Sequence, residues 1–307
     1  MTFATTFKEP GDLRHRILIA AMATAATAVA IALLWGGLEY YRLPLGERPF
    51  HAQHRTLRPA GQLGVRLGLV CLVMFLGIYL YPLRKRIKFL QRIGKTRRWL
   101  DFHVLVGILV PIYVTLHASF KLQGLVGIAY WIMMAIVASG FVGRYLYAHI
   151  HRSAHEASIS ITELEQEIGQ LATELHDQEL VPRGDMERVL ALPSRNEVAA
   201  MKLHQALLTM LVLDFRRPFQ VATLRRRFLG AGERLITAGG LLHSGHRDLE
   251  RVIDAVREQS WLMAKALFLS RAGEIFHLWH VVHRPFSYSF VVIVLIHVTL
   301  VLLMGYL

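Results

Sequence analysis

Four histidines carry the chemistry that this sequence could perform. His103 and His117 lie fourteen residues apart in an apolar stretch, residues 100–120, and His283 and His297 repeat that spacing near the C-terminus. On a helix, fourteen residues advance about 21 Å and turn through almost four revolutions, so both imidazoles of a pair share one face. An ionisable group inside a bilayer-spanning helix is costly unless it has a partner or a task. Two matched pairs on two helices suit axial ligation of two haems stacked across a membrane. Iron held by two imidazoles has no open coordination position, which favours one-electron transfer over oxygen binding. The plainer alternative is that the histidines hydrogen-bond between helices or line a proton path. His280 rivals His283 as a ligand, but its distance to His297 would not match the spacing on the other helix.

The elements that must position these residues are membrane spans. Long apolar stretches decide the class, since a crossing needs about 20 largely apolar residues. Five are expected, near residues 17–38, 63–81, 100–120, 125–147 and 283–306, the second closed by Pro82. The loop between the second and third holds Arg84, Lys85, Arg86, Lys88, Arg92, Lys95, Arg97 and Arg98 with no acid before Asp101, so the positive-inside rule makes it cytoplasmic. The N-terminus is then inside and the C-terminus outside. The third and fifth spans run in the same direction, so His103 pairs with His283 near the cytoplasmic surface and His117 with His297 nearer the outside.

The fold class expected is all-α: a transmembrane bundle of about five spans, with a helical cytoplasmic insert between spans four and five. Residues 1–148 hold the first four spans, 149–272 the insert, and 273–307 the last span. Within the insert Ile161, Leu164, Ile168, Leu171 and Leu175 recur at helical spacing, a stripe able to pack on a partner helix. A break at 182–184 precedes a helical stretch at 196–213. Arg216, Arg217, Arg225, Arg226 and Arg227 follow and could rest on lipid head groups. Glycines at 230, 232, 239 and 240 mark turns before another helix at 248–269.

Several classes are excluded. The net charge of +13 would suggest nucleic acid in a soluble protein, but here basic loops facing anionic lipid account for it, and no nucleic acid partner is expected. The single cysteine, Cys71, cannot form an internal disulfide or an iron–sulfur centre and reads as packing. Gly230-Ala-Gly232 lacks the strand and third glycine of a dinucleotide fingerprint, and no Walker or HExxH motif is present. The first apolar segment has no convincing cleavage site and should stay as a span.

Two parallel spans, each with His-x13-His, resemble the haem-bearing helices of membrane di-haem b-type cytochromes. The cytochrome b of quinol–cytochrome c reductases carries this spacing on two helices. The ferric reductase and NADPH oxidase family carries a similar arrangement on its third and fifth spans, the order found here. The segment Ser139-Gly-Phe-Val-Gly-Arg-Tyr-Leu-Tyr147 is similar to bacterial cytochrome b-like membrane subunits. The resemblance does not reach the insert, the flavin and nicotinamide domain of ferric reductases, or the Pro-Glu-Trp-Tyr quinol motif. It implies two b-type haems with the four histidines as metal ligands and no catalytic side chain.

Haem propionates need cationic neighbours; Arg97, Arg98, Arg144 and Arg284 are candidates at the inner end and Lys121 at the outer turn, although positive-inside topology explains the arginines as well. Glycine pairs thirteen apart, Gly64 with Gly77 and Gly127 with Gly140, could admit haem edges or pack helices. Asp101, Glu274 and His280 could exchange protons with a quinone at the inner interface. The function expected is electron transfer across a membrane, of the bacterial inner-membrane kind, between a quinone pool and redox partner subunits of a respiratory-type complex. A stand-alone membrane reductase of ferric iron or oxygen is an alternative, and a haem-free transporter or sensor another.

Overall fold

A computed structural model describes residues 10–150, 161–176, 178 and 180–305 of the protein. The polar residues 1–9, residues 151–160 of the insert and the expected end of the last span at 306 lie outside the described residues. Every regular element among those described is helical. In chain order these are α1 (Pro10–Gly36), α2 (Leu38–Arg42), a 3₁₀ turn (Arg48–Phe50), α3 (His54–Leu57), α4 (Gln62–Arg86), α5 (Lys88–Gln91), α6 (Thr96–His117) and α7 (Gly124–Ile150). There follow α8 (Ile161–His176), α9 (Arg183–Leu190), α10 (Arg195–Ala200), α11 (Leu203–Phe228), α12 (Ala231–Ile236) and α13 (Arg247–Leu303). Helices α1, α4, α6, α7 and α13 are long and apolar enough to cross a membrane. The protein is thus a helical bundle of membrane-spanning character. Large apolar side chains such as Ile17, Val29, Val73, Trp131 and Leu295 are exposed on these helices, as suits a bundle whose solvent is lipid.

The chain divides into two compact units, residues 1–141 with 282–307, and residues 142–281. The first is built on α4 and α6. Leu67 and Cys71 of α4 pack with Tyr113 and Leu116 of α6, Ala30 of α1, and Tyr40, Tyr41 and Leu57 of the segment between α1 and α4. Cys71 is therefore a buried packing residue. A second cluster joins Val106 and Val110 of α6 to Met133 of α7, with Ile78 of α4 and Phe290 of α13 against it.

Three departures from the sequence expectation bear on the site. Pro82 does not close the second span: α4 continues through it to Arg86. Proline near the end of a membrane helix is tolerated when another group takes over the carbonyl it leaves without a donor, here that of Ile78. The expected helix at 248–269 and the final span are one element, α13, of 57 residues with Pro285 inside it. The connection between α1 and α4, read from sequence as a loop, is ordered about Arg48. This buried guanidinium donates to the carbonyls of Leu43 (2.9 Å), Tyr41 (2.8 Å) and Ser119 (2.5 Å). The Ser119 hydroxyl in turn donates to Leu57 O.

In the second unit, α8 buries Leu164 and Leu175 of the expected stripe. Leu175 joins Val189 of α9, Leu224 of α11 and Ile253 of α13, while Leu146 of α7, Met210 of α11 and Phe268 of α13 form a second core. The stretch read as one helix at 196–213 is two. Ser194 and Glu197 cap α10 reciprocally, and Gln205 Oε1 accepts the Lys202 N–H where α11 begins (3.0 Å). The Ser194 backbone N–H holds the Glu197 carboxyl below the ordinary carboxylate range. Gly239 and Gly240 have φ of 71° and 88°, and a Cβ on Gly240 would lie 2.6 Å from Ala222 O, so this turn requires glycine.

The basic run on α11 divides. Arg217 and Arg225 are buried, not on a lipid-facing surface. Arg217 pairs with Asp214 (2.8 Å), and Arg225 grips both Glu250 oxygens (2.8 Å each). Burying a guanidinium requires such charged partners, which sequence spacing does not reveal.

Candidate metal centre

All four predicted ligands lie on two helices, His103 and His117 on α6 and His283 and His297 on α13. The structure brings His117 and His297 together, their ring centres 6.4 Å apart and their planes at 72°. Two metal–nitrogen bonds of about 2 Å, with each ring centre about 1.1 Å beyond its nitrogen, place bridged imidazoles roughly 6 Å apart. The observed 6.4 Å is of that order, so the two rings are close enough that both could hold one metal ion.

Hydrogen bonds fix the tautomers. A carbonyl can only accept, so the contact of His103 Nδ1 with Ile78 O (2.9 Å) puts the proton on Nδ1. His117 Nδ1 donates likewise to Gly64 O (2.8 Å). The Ser139 hydroxyl donates to Ile136 O (2.7 Å), so it accepts from His283 Nδ1 (2.7 Å). In each case the lone pair is left on Nε2, and a carbonyl or hydroxyl on the other nitrogen is the usual support wherever a histidine does ligate a metal. His280, the rival ligand, turns its Nδ1 to Phe276 O of its own helix (3.0 Å) and lies against the Phe276 and Trp279 rings.

The backbone makes room for these rings. A Cβ on Gly68 would stand 2.9 Å from His117 Cε1, and Gly68 lies one turn beyond Gly64, whose carbonyl holds the same imidazole. Gly64-x3-Gly68 is thus a seat for His117, and Gly140 makes van der Waals contact with His283 Cε1 at 3.9 Å from a built Cβ. Gly77 faces Phe102 and Gly127 the carbonyl of Leu122, which are packing roles. Arg48 reaches the turn after α6 through Ser119 O, two residues beyond His117.

The proposed cofactor-binding cations are spread more widely. Arg97 and Arg98 are half-buried in the first turn of α6, Arg284 is exposed on α13 beside His283, and Lys121 is exposed in the turn before α7. Arg144 lies over the Tyr147 ring at 6.0 Å. Of the groups considered for quinone, Asp101 meets His15 (3.2 Å), and Glu274 meets Arg271 (2.9 Å). Among the described residues no group of three or more His, Cys, Asp or Glu could hold a metal ion. Two imidazoles per metal are the full protein contribution when a porphyrin supplies the other four donors.

Sequence reasoning missed Gly68, Ser139 and Arg48 as supports. GxxxG spacing was the available signal for Gly68; a serine one hundred and forty-four residues from its histidine offers none. Comparison with protein-family models, curated proteins and solved structures gives no match.

Proposed function

We propose that this chain is a di-haem b-type electron carrier, with His117 and His297 holding one haem and His103 and His283 the other. The observation that carries the reading is the 6.4 Å approach of the His117 and His297 rings from two different helices. Bis-imidazole haem supplies one-electron transfer without an open coordination position. The chain's own residues then have defined tasks. The carbonyls of Ile78 and Gly64 and the hydroxyl of Ser139 hold Nδ1 protons on His103, His117 and His283, keeping Nε2 basic. The apolar lining of α4, α6 and α13 excludes water, which lowers the local dielectric about any centre held there.

On this reading the chain is the membrane subunit of a quinone-linked, respiratory-type complex, with the remaining redox chemistry on partner subunits. A reduced-minus-oxidised spectrum of the purified chain tests it. Two b-type components that titrate separately are expected. The absence of any b-type α-band would refute the proposal.

A further inference from the structure

Helix α11 presents a face that none of the described residues of the second unit covers. Leu208, Leu211, Val212, Phe215 and Phe219 recur at three- and four-residue intervals and are all exposed, Leu208 by 62%, Phe215 by 71% and Phe219 by 51%. Phe215 and Phe219 touch, with ring centres 5.3 Å apart. A contiguous apolar stripe of this kind marks a binding surface. Its edge is basic. Between α9 and α11 lies a cavity of about 320 Å³, lined by Arg188, Arg216 and Arg227 against the single carboxylate of Asp185, with Thr223 and Phe219 also in the wall. Arg216, Thr223 and Arg227 follow one another on the face of α11 that adjoins the stripe, and Phe219 belongs to both.

We infer that α11 is an interfacial helix, its apolar stripe in the acyl boundary of the bilayer and its arginine groove on the phosphate of an anionic phospholipid. Three guanidiniums against one carboxylate leave the groove with a net charge of plus two. Arginine forks match phosphate geometry. Apolar residues beside basic ones define helices that lie in the membrane surface. Both ends of this unit, at Val142 and Val281, lie within helices of membrane-spanning character, so a bilayer is the surface within its reach. The burial of Arg217 and Arg225 narrows the basic run to the side chains able to meet lipid.

The test uses the full chain in nanodiscs of phosphatidylcholine, alone or with phosphatidylglycerol. An environment-sensitive fluorophore is placed on Phe215→Cys in a Cys71→Ser background, with Gln166→Cys on α8 as the control. Blue-shifted emission at position 215, quenched by nitroxide-labelled lipid and strengthened by phosphatidylglycerol, is expected, with position 166 remaining water-like. Arg216→Gln should raise the phosphatidylglycerol fraction needed for half-maximal quenching about fivefold, the effect of one basic residue near an anionic surface. Free inorganic phosphate should not displace the lipid. Emission that is water-like in every disc overturns the proposal, as does a shielded label that lipid nitroxides cannot reach, which would place a protein partner on the stripe. Quenching without phosphatidylglycerol dependence, or competition by inorganic phosphate, overturns the assignment of the groove to a lipid headgroup.

Discussion

Each predicted ligand depends on a small set of atoms. Replacing His117 or His297 singly by Ala should remove one haem and leave the other, read as loss of one component in a redox titration followed by visible absorbance. Gly68→Ala should act on the same component with the ligands intact. The added Cβ would stand 2.9 Å from His117 Cε1, so the ring must shift from Gly64 O, and the haem proposed at His117 should be lost or change its electron paramagnetic resonance signal. An unaltered signal would deny Gly68 its role as a seat. Arg48→Ala leaves three carbonyls without their buried donor. It should destabilise the turn after α6 by about 3 kcal/mol, measured as a lowered thermal midpoint of the bundle. The placing of four histidines on two long apolar helices was legible because an imidazole in an apolar run is rare and its spacing repeats. Arg48 was not, because an arginine in a polar loop looks the same whether it is solvated or holds three carbonyls.

The instructive element is α4. Pro82 removes the N–H that would bond Ile78 O, and His103 Nδ1 takes that carbonyl at 2.9 Å. Pro82→Ala restores a helical donor there, so α4 should gain stability while His103 loses support. A less strongly supported imidazole is a weaker donor to ferric iron, so the potential of the haem proposed at His103 should rise, and spectropotentiometry measures the shift. A wild-type potential would show that His103 keeps its carbonyl. From sequence the proline marked the end of a span, because propensity registers the missing donor and not what replaces it. The single helix α13 reads from sequence as a polar helix and a separate apolar span, because its composition changes along its length, whereas the backbone continues unbroken through Pro285.

For the molecule as a whole, the membrane-spanning character and all-helical class could be read from apolar run length alone. The ion pairs among the described residues of the second unit could not, since spacing does not show which charges are buried. Burial alone would raise the Asp214 carboxyl, but hydrogen bonds from His149 and Tyr145, with the charges of His149 and Arg217, outweigh it and hold it below its ordinary value of 3.8. A depressed native value adds stability above that ordinary value, and this stability is lost as pH falls through the lower native one. Unfolding of this unit should therefore sharpen in acid below about pH 4, and Asp214→Asn should flatten that dependence while lowering stability at neutral pH. Chemical denaturation followed across acid pH distinguishes the two chains; parallel profiles would remove Asp214 from the account.

The Ile78 carbonyl has a further consequence. In an aqueous protein, an acceptor released by proline is hydrated at once, and a side chain that wants it must displace water. In hydrocarbon there is no such competitor, so the acceptor stays vacant until a donor on a neighbouring helix reaches it. In a bilayer, dryness as well as shape would then hold the orientation of His103. A detergent or mutation that lets water reach residue 78 should loosen the ring without moving either helix.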